Sequence, residues 1–164
     1  MPVDGAPGTR RAAGIVIARF VVTFAVVLGM AVLAGAHSAL KSSKPADGAR
    51  LEEMPQAVEL TFTEPVETAL SVFKVYPVPA PPDALADLER LNGMAAELVS
   101  KVLSRKGDEA QRADAGLGTK ATPTASVTIR LKPGLKPGAY VVMWRVLSID
   151  THPTQGFVVF VYAR

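Results

Sequence analysis

The amino-acid sequence predicts an all-β sandwich or barrel that carries one helical insertion between strands. Residues 58–63 alternate apolar and polar side chains, which is the period of a half-buried strand. Proline-glycine pairs at 133–134 and 137–138 mark turns between short strands. Residues 83–105 differ, because their leucines recur every three or four positions, as on one face of a helix. Short strands separated by such turns indicate an all-β domain.

Residues 1–36 are predicted to be a secretory signal peptide. Three arginines lead into an uncharged apolar run over 20–36, which ends in a small-x-small cleavage pattern at Ala36. Cleavage there leaves His37 as the first residue of a periplasmic domain over 37–164. The alternative is an uncleaved anchor that holds the domain at the membrane, because the run is only slightly short of a bilayer span.

Composition excludes several classes of function for the exported domain. Residues 1–36 contain three arginines and one aspartate, so removing them lowers the net charge from +3 to +1. A domain with so little positive charge has no basic excess to attract nucleic acid. The chain has no cysteine. Disulfides, zinc–cysteine sites, iron–sulfur clusters and cysteine nucleophiles are therefore excluded.

The predicted strands lie on both sides of the insertion. Pro65 is expected to end the second strand and Pro77 the third, because proline has no amide hydrogen to donate to a ladder. The last two strands are almost continuously apolar, as the central strands of a sandwich are. The predicted strands span residues 38–44, 58–63, 71–76, 126–131, 139–146 and 157–162.

The insertion is predicted over residues 77–124, as a helix followed by a flexible linker. The helix is expected to begin after the capping residue Asp83 and to stop at Gly107. Asn92-Gly93 is a point at which it could divide in two. Residues 107–124 are polar and contain glycines, which is typical of a mobile linker.

His37 and His152 are the two histidines of the chain, and both lie where they could bind a metal. After cleavage, His37 offers its α-amine and its imidazole, which close a chelate ring on one ion. Asp150 and His152 are two residues apart, so in an extended segment their side chains point to the same side. Three nitrogens and one carboxylate oxygen suit the tetragonal preference of Cu(II). On the residues alone, an ordinary loop histidine beside Pro153 is an equally open interpretation.

Three blocks of sequence resemble the CopC family of copper-resistance proteins. Residues 37–48, His-Ser-Ala-Leu-Lys-Ser-Ser-Lys-Pro-Ala-Asp-Gly, resemble the start of the mature family domain. Residues 62–67, Phe-Thr-Glu-Pro-Val-Glu, resemble a second signature. Residues 138–153, Gly-Ala-Tyr-Val-Val-Met-Trp-Arg-Val-Leu-Ser-Ile-Asp-Thr-His-Pro, resemble the longest one. The blocks occur in the family's order and, with the strand over 157–162, cover most of the domain outside 77–124.

The resemblance implies a Greek-key, immunoglobulin-like β-sandwich that binds Cu(II) in the periplasm. His37, Asp150 and His152 match the family's copper ligands, and Glu64 matches a position that approaches the copper as an extra or axial group in some members. A membrane partner of the CopD type that accepts the copper is also implied. Some relatives bind Cu(I) at a methionine-rich loop, but the methionines of residues 37–164 are scattered, so Cu(II) alone is expected.

The predicted function is capture and delivery of Cu(II) for copper homeostasis or resistance, without enzymatic activity. A copper oxygenase is one alternative, because such enzymes also use an N-terminal histidine chelate. A carboxylate in the copper plane and an aromatic content of only 6% argue against it. The other alternative is a non-metal immunoglobulin-like scaffold with an uncleaved membrane anchor. It requires that His37 keeps its preceding peptide bond, since an amide would replace the chelating amine.

Overall fold

Eight strands in two four-stranded sheets form the protein, as described by a computed structural model over residues 39–163. The predicted signal peptide and His37 lie outside the described residues. The strands are β1 (Leu40–Lys44), β2 (Arg50–Leu51), β3 (Ala57–Val66), β4 (Val72–Val78), β5 (Asp114–Leu117), β6 (Thr124–Leu131), β7 (Gly138–Leu147) and β8 (Pro153–Tyr162).

The two sheets are built by connections that cross between them. Sheet 1 has the order β1-β3-β6-β5 and sheet 2 the order β2-β8-β7-β4. The first five strands alternate between the sheets, whereas β5–β6 and β7–β8 are consecutive antiparallel pairs within one sheet. The short strand β2, which was not predicted, pairs in parallel with β8. The prediction of a Greek-key β-sandwich is confirmed.

The main core fills the space between the sheets. The strands of sheet 1 alternate, so that Val58, Leu60 and Phe62 are buried while Glu59 and Thr63 face solvent. Phe62 meets the ring of Trp144 from sheet 2 edge to face, with 6.0 Å between the ring centroids. The remaining buried members of this cluster are Val66, Phe73, Val75, Ala113, Val127, Ile129, Leu131, Tyr140, Val142, Val146, Val158, Phe160 and Tyr162.

Helix α1 (Leu88–Val102) covers the outer face of sheet 2. Its buried residues Leu91, Ala95 and Val102 belong to a second apolar cluster with strand residues that include Met143 and Val159. Sheet 2 is therefore buried on both faces, which explains why β7 and β8 are almost continuously apolar instead of alternating. In the described part of the chain, no helix is long and apolar enough to cross a membrane.

Helix α1 is shorter than predicted and is not interrupted. Its N-cap is Asp87, whose carboxylate accepts a hydrogen bond from the main-chain N–H of Arg90 at 3.0 Å. The predicted cap Asp83 lies in a preceding 3₁₀ turn and pairs with the Arg90 guanidinium at 2.7 Å. Asn92-Gly93 does not divide the helix, because the helical main chain continues through both residues.

Two prolines fail to end the strands in which they lie. Strand β3 runs through Pro65 to Val66, where its regular pairing with β6 has already shifted after Thr61. Strand β4 runs through Pro77 because β4 is an edge strand with a single partner, so one missing N–H can face away from the ladder. Both predicted strand ends are therefore wrong.

The predicted linker over residues 107–124 contains packed structure. Strand β5 lies inside it and forms the edge of sheet 1. Asp108 and Asp114 are buried, and Asp114 accepts a hydrogen bond from the main-chain N–H of Val75 at 2.8 Å. Polar composition suggested a linker, but these polar side chains are satisfied internally instead of by solvent. This part of the prediction is corrected.

Candidate metal centre

The β7–β8 turn, residues 148–152, holds two of the predicted ligands side by side. The Nδ1 atom of His152 lies 3.0 Å from the Oδ2 atom of Asp150. Both side chains are exposed at the end of the sandwich. An imidazole and a carboxylate are thus accessible to an ion from solvent and are already close enough to share one.

The two side chains converge because the main chain turns here. The predicted extended segment is wrong. The N–H of Thr151 donates to the carbonyl of Ser148 at 2.9 Å, which closes the turn. Thr151 has φ = 68°, in the left-handed region that β-branched residues rarely occupy. This conformation, between Asp150 and His152, folds the main chain so that both side chains lie together.

Ser148 is the buried residue of this turn, with 1% of its surface exposed. Its hydroxyl donates to Oδ1 of Asp150 and lies 2.9 Å from the carbonyl oxygen of His152. Its main chain forms a bridge to Val66 at the end of β3. One buried serine therefore connects the exposed turn to sheet 1.

The pKa of the Asp150 carboxyl group lies below its usual range. The hydrogen bond from the Ser148 hydroxyl is the largest cause, and the limited desolvation opposes it. The main-chain N–H and the side chain of His152 also stabilise the ionised form. Asp150 is therefore a carboxylate at neutral pH and remains one in moderately acidic solution, as a metal ligand must.

Glu64 and the start of the described chain lie at the same end of the sandwich. Glu64 is half-buried on β3, two residues before Val66. Its neighbour Thr63 is joined to Ala39 by two hydrogen bonds, one to the Thr63 hydroxyl at 3.0 Å and one from the Thr63 N–H at 2.9 Å. Strand β3 thus lies between the segment that follows His37 in sequence and the β7–β8 turn.

The described residues bring together part of the predicted ligand set. Asp150 and His152 form a pair, but no group of three or more histidine, aspartate or glutamate side chains converges within residues 39–163. Glu64 therefore does not join the pair in a three-ligand cluster. His37, the remaining predicted ligand, lies outside the described residues.

Sequence reasoning missed three residues that shape this end of the molecule: Thr63, Ser148 and Thr151. Each is a common polar residue that on sequence alone resembles an ordinary strand or loop position. The weak signal for Ser148 is its place two residues before Asp150, which is the spacing of a local side-chain hydrogen bond. No pattern in the sequence indicates the left-handed conformation of Thr151.

Comparison with known proteins gives a family match over most of the described chain. A family model described as "CopC domain" matches residues 40–84 and 89–163. Copper resistance protein C of Pseudomonas syringae pv. tomato is 30% identical over 141 residues, which cover 86% of this chain and 92% of that protein. Protein YobA of Escherichia coli K12 is 28% identical over 125 residues, which cover 76% and 77%.

A further relative and a solved structure extend the comparison. Copper transport protein CutJ of Bacillus subtilis is 25% identical over 125 residues, which cover 76% of this chain but 18% of CutJ. The crystal structure of PcoC, a methionine-rich copper resistance protein from Escherichia coli, superposes with a TM-score of 0.53 at 24% identity, covering 78% of this chain and all of PcoC. At that identity the superposition supports the fold alone.

Proposed function

Because the chain belongs to the CopC family, we propose that it is an exported protein that captures Cu(II) and delivers it to an acceptor. Three of its relatives are named for copper resistance or copper transport, and with the family match this makes its function copper-related. We propose further that His37, Asp150 and His152 hold the Cu(II) and that the protein is not an enzyme.

The observation that carries the proposal is the meeting of three distant segments at one end of the sandwich. Ala39 is hydrogen-bonded to Thr63, and Val66 at the end of the same strand is bridged to Ser148 in the β7–β8 turn. His37 precedes Ala39 by two residues, a reach of about 7 Å for extended chain. We propose that the amine and imidazole of His37 reach across this end of the sandwich and join the Asp150–His152 pair.

The spacing of the pair also suits the proposed cargo. With metal–ligand bonds of about 2.0 Å, two ligands at a right angle are about 2.8 Å apart. The 3.0 Å between Nδ1 of His152 and Oδ2 of Asp150 is close to that separation. The chelating His37 would add two nitrogens to complete a tetragonal set. Glu64, half-buried one residue beyond Thr63, is proposed as an additional or axial group.

Delivery requires an acceptor, and we propose a CopD-like protein of the inner membrane. The match to CutJ supports this proposal, because there a region like this chain forms a small part of a longer protein named for copper transport. In the present chain the proposed cleavage after Ala36 releases the domain into the periplasm. Transfer would then be an encounter between two separate proteins.

Electron paramagnetic resonance of the protein beginning at His37, loaded with one equivalent of Cu(II), tests the proposal. A tetragonal spectrum with nitrogen hyperfine structure is expected. One alanine added before His37 is the decisive variant, because it replaces the amine by an amide and leaves every residue of 39–163 unchanged. This variant is expected to lose the spectrum while keeping its circular dichroism.

His152→Ala and Asp150→Ala provide the second arm of this test. Each removes one proposed ligand from an exposed turn, so each is expected to alter the copper spectrum with little change in stability. A spectrum that is indistinguishable from adventitious copper in the unextended protein would contradict the proposal. The scaffold function would then be the alternative to pursue.

A further inference from the structure

We infer that Ser148 is a positioning residue for copper binding, which holds the Asp150 carboxylate in the orientation that the metal requires. The inference rests on the proposed function, because it assigns a role to a residue that is not itself a proposed ligand. The Ser148 hydroxyl is the closer of two donors to Oδ1 of Asp150, the other being the main-chain N–H of His152 at 3.4 Å, and Oδ2 faces the His152 imidazole.

Ser148 can perform this role because its own position is fixed. It is buried to 1% exposure, bridged to Val66, and hydrogen-bonded through its main chain to His152 and Thr151. Asp150, by contrast, is exposed on the turn. An exposed carboxylate rotates freely about its side-chain torsions unless something holds it. In metal sites, a residue that does not contact the metal commonly orients a ligand side chain by donating a hydrogen bond to it.

The Ser148 hydroxyl can be removed without losing the main-chain hydrogen bonds that close the turn. The bonds from Thr151 N–H to the Ser148 carbonyl, and from Ser148 N–H to the His152 carbonyl, use main-chain atoms and survive loss of the side chain. Ser148→Ala therefore removes the carboxylate donor while keeping the turn. Without this donor, Oδ1 of Asp150 keeps only the longer bond from the His152 N–H at 3.4 Å, so more of the ordering of the carboxylate falls to metal binding, and that ordering lowers affinity.

The test measures Cu(II) affinity by competition with nitrilotriacetate, in protein that begins at His37, alongside the free energy of unfolding of the metal-free protein. Ser148→Ala is expected to weaken Cu(II) binding about 10- to 100-fold. Ser148→Thr keeps a hydroxyl at this position and is expected to retain Cu(II) affinity, so it tests the inference if Ser148→Ala does not fold.

Ser71→Ala is the matched control. The Ser71 hydroxyl donates to the carbonyl of Glu67 at 2.7 Å and accepts from the N–H of Leu147 at 3.1 Å, so it also joins neighbouring segments at this end. These bonds involve neither Asp150 nor His152. Loss of the Ser71 hydroxyl is therefore expected to lower stability and to leave Cu(II) affinity within about twofold.

A double-mutant cycle separates positioning from a general structural effect. If Ser148 acts through Asp150, then Ser148→Ala has no further effect on affinity in an Asp150→Ala background. An equal loss in both backgrounds overturns the inference, as does unchanged affinity in Ser148→Ala, and neither result affects the proposed function. Failure of the unmodified protein to bind Cu(II) overturns the proposed function and the inference with it.

Discussion

Position 156 has room only for glycine, because the indole of Trp144 occupies the space where a side chain would lie. The two residues pair across β7 and β8, and a Cβ atom at Gly156 would lie 2.6 Å from Cζ2 of Trp144. The indole cannot simply move away, because the ring of Phe62 packs against it edge to face. Packing, and not an unusual backbone angle, therefore requires glycine at this position.

Gly156→Ala is expected to destabilise the protein by about 1–3 kcal/mol, the usual cost of overpacking a core. Urea unfolding followed by circular dichroism measures this change. Gly93→Ala is the control, since nothing lies within 4 Å of a Cβ atom at that helical position. Alanine there is expected to stabilise the helix by about 0.5–1 kcal/mol. Equal unfolding midpoints for the two variants would contradict the packing argument.

At the residue scale, the sequence was sufficient to select the metal-binding candidates but not to show how they are held. The two-residue spacing of Asp150 and His152 predicts neighbouring side chains, and the structure has them 3.0 Å apart. The cause is the left-handed Thr151, which depends on contacts that form only after folding. Burial of Ser148 has the same origin, because it follows from the bridge to Val66, which is far away in sequence. The role of each residue as a ligand stays a prediction.

At the scale of elements, Lys74 joins the helical insertion to sheet 2. It lies on β4 with 4% of its surface exposed. Its ammonium group donates to the carbonyls of Val102 and Arg105 at 2.8 and 2.6 Å, and to the Asp108 carboxylate at 2.5 Å. Three donors thus meet three acceptors. Because the Val102 carbonyl is at the C-terminal end of α1, the positive charge also complements the helix dipole.

Lys74→Met is expected to destabilise the protein by about 3–5 kcal/mol, since it leaves Asp108 buried without its main partner. Chemical denaturation measures the change. Lys101→Met is the matched control: Lys101 pairs with Glu97 at 2.6 Å, but both side chains are more than half exposed. Its loss is expected to cost no more than about 0.5 kcal/mol. Similar effects for the two lysines would show that the buried network does not anchor the insertion.

The elements that the sequence predicts well are those whose periodicity reflects burial. Alternation locates β3, and the spacing of leucines locates α1. The predictions from sequence are wrong where tertiary contacts determine the local structure. An edge position allows Pro77 inside β4, and burial against sheet 2 orders the segment around Asp108 that its polar composition marks as a linker. Neither fact is present in a local window of sequence.

At the scale of the whole molecule, one buried polar cluster makes the stability of the fold depend on pH. The Tyr76 hydroxyl donates to Asp108 at 2.6 Å, next to the Lys74 contact. Burial, assisted by the hydrogen bond and the negative charge of Asp108, raises the pKa of Tyr76 to about 12. Burial would also raise the pKa of Asp108, but the hydrogen bonds from Lys74 and Tyr76 outweigh it, so this pKa lies below its usual range. Both shifts couple folding to pH.

Stability is expected to fall between pH 10 and 12. The folded-state pKa of Tyr76 is above the unfolded value of about 10, so its contribution is complete below pH 10 and is lost as pH rises toward 12. Two pKa units correspond to about 2–3 kcal/mol. Unfolding free energies across this range measure the loss. Tyr76→Phe should be less stable at neutral pH but show a smaller decline, and parallel curves for the two proteins would contradict this origin.

The fluorescence of Trp144 can report on metal binding near the β7–β8 turn. It is the single tryptophan of the chain, and it pairs with Gly156 three rungs, or about 10 Å, from the Leu147–Pro153 pair that borders the β7–β8 turn. Paramagnetic Cu(II) quenches excited indoles at such short range. Cu(II) bound at the proposed site is therefore expected to quench the emission of the unlabelled protein, which would report binding without a dye or tag that competes for the metal.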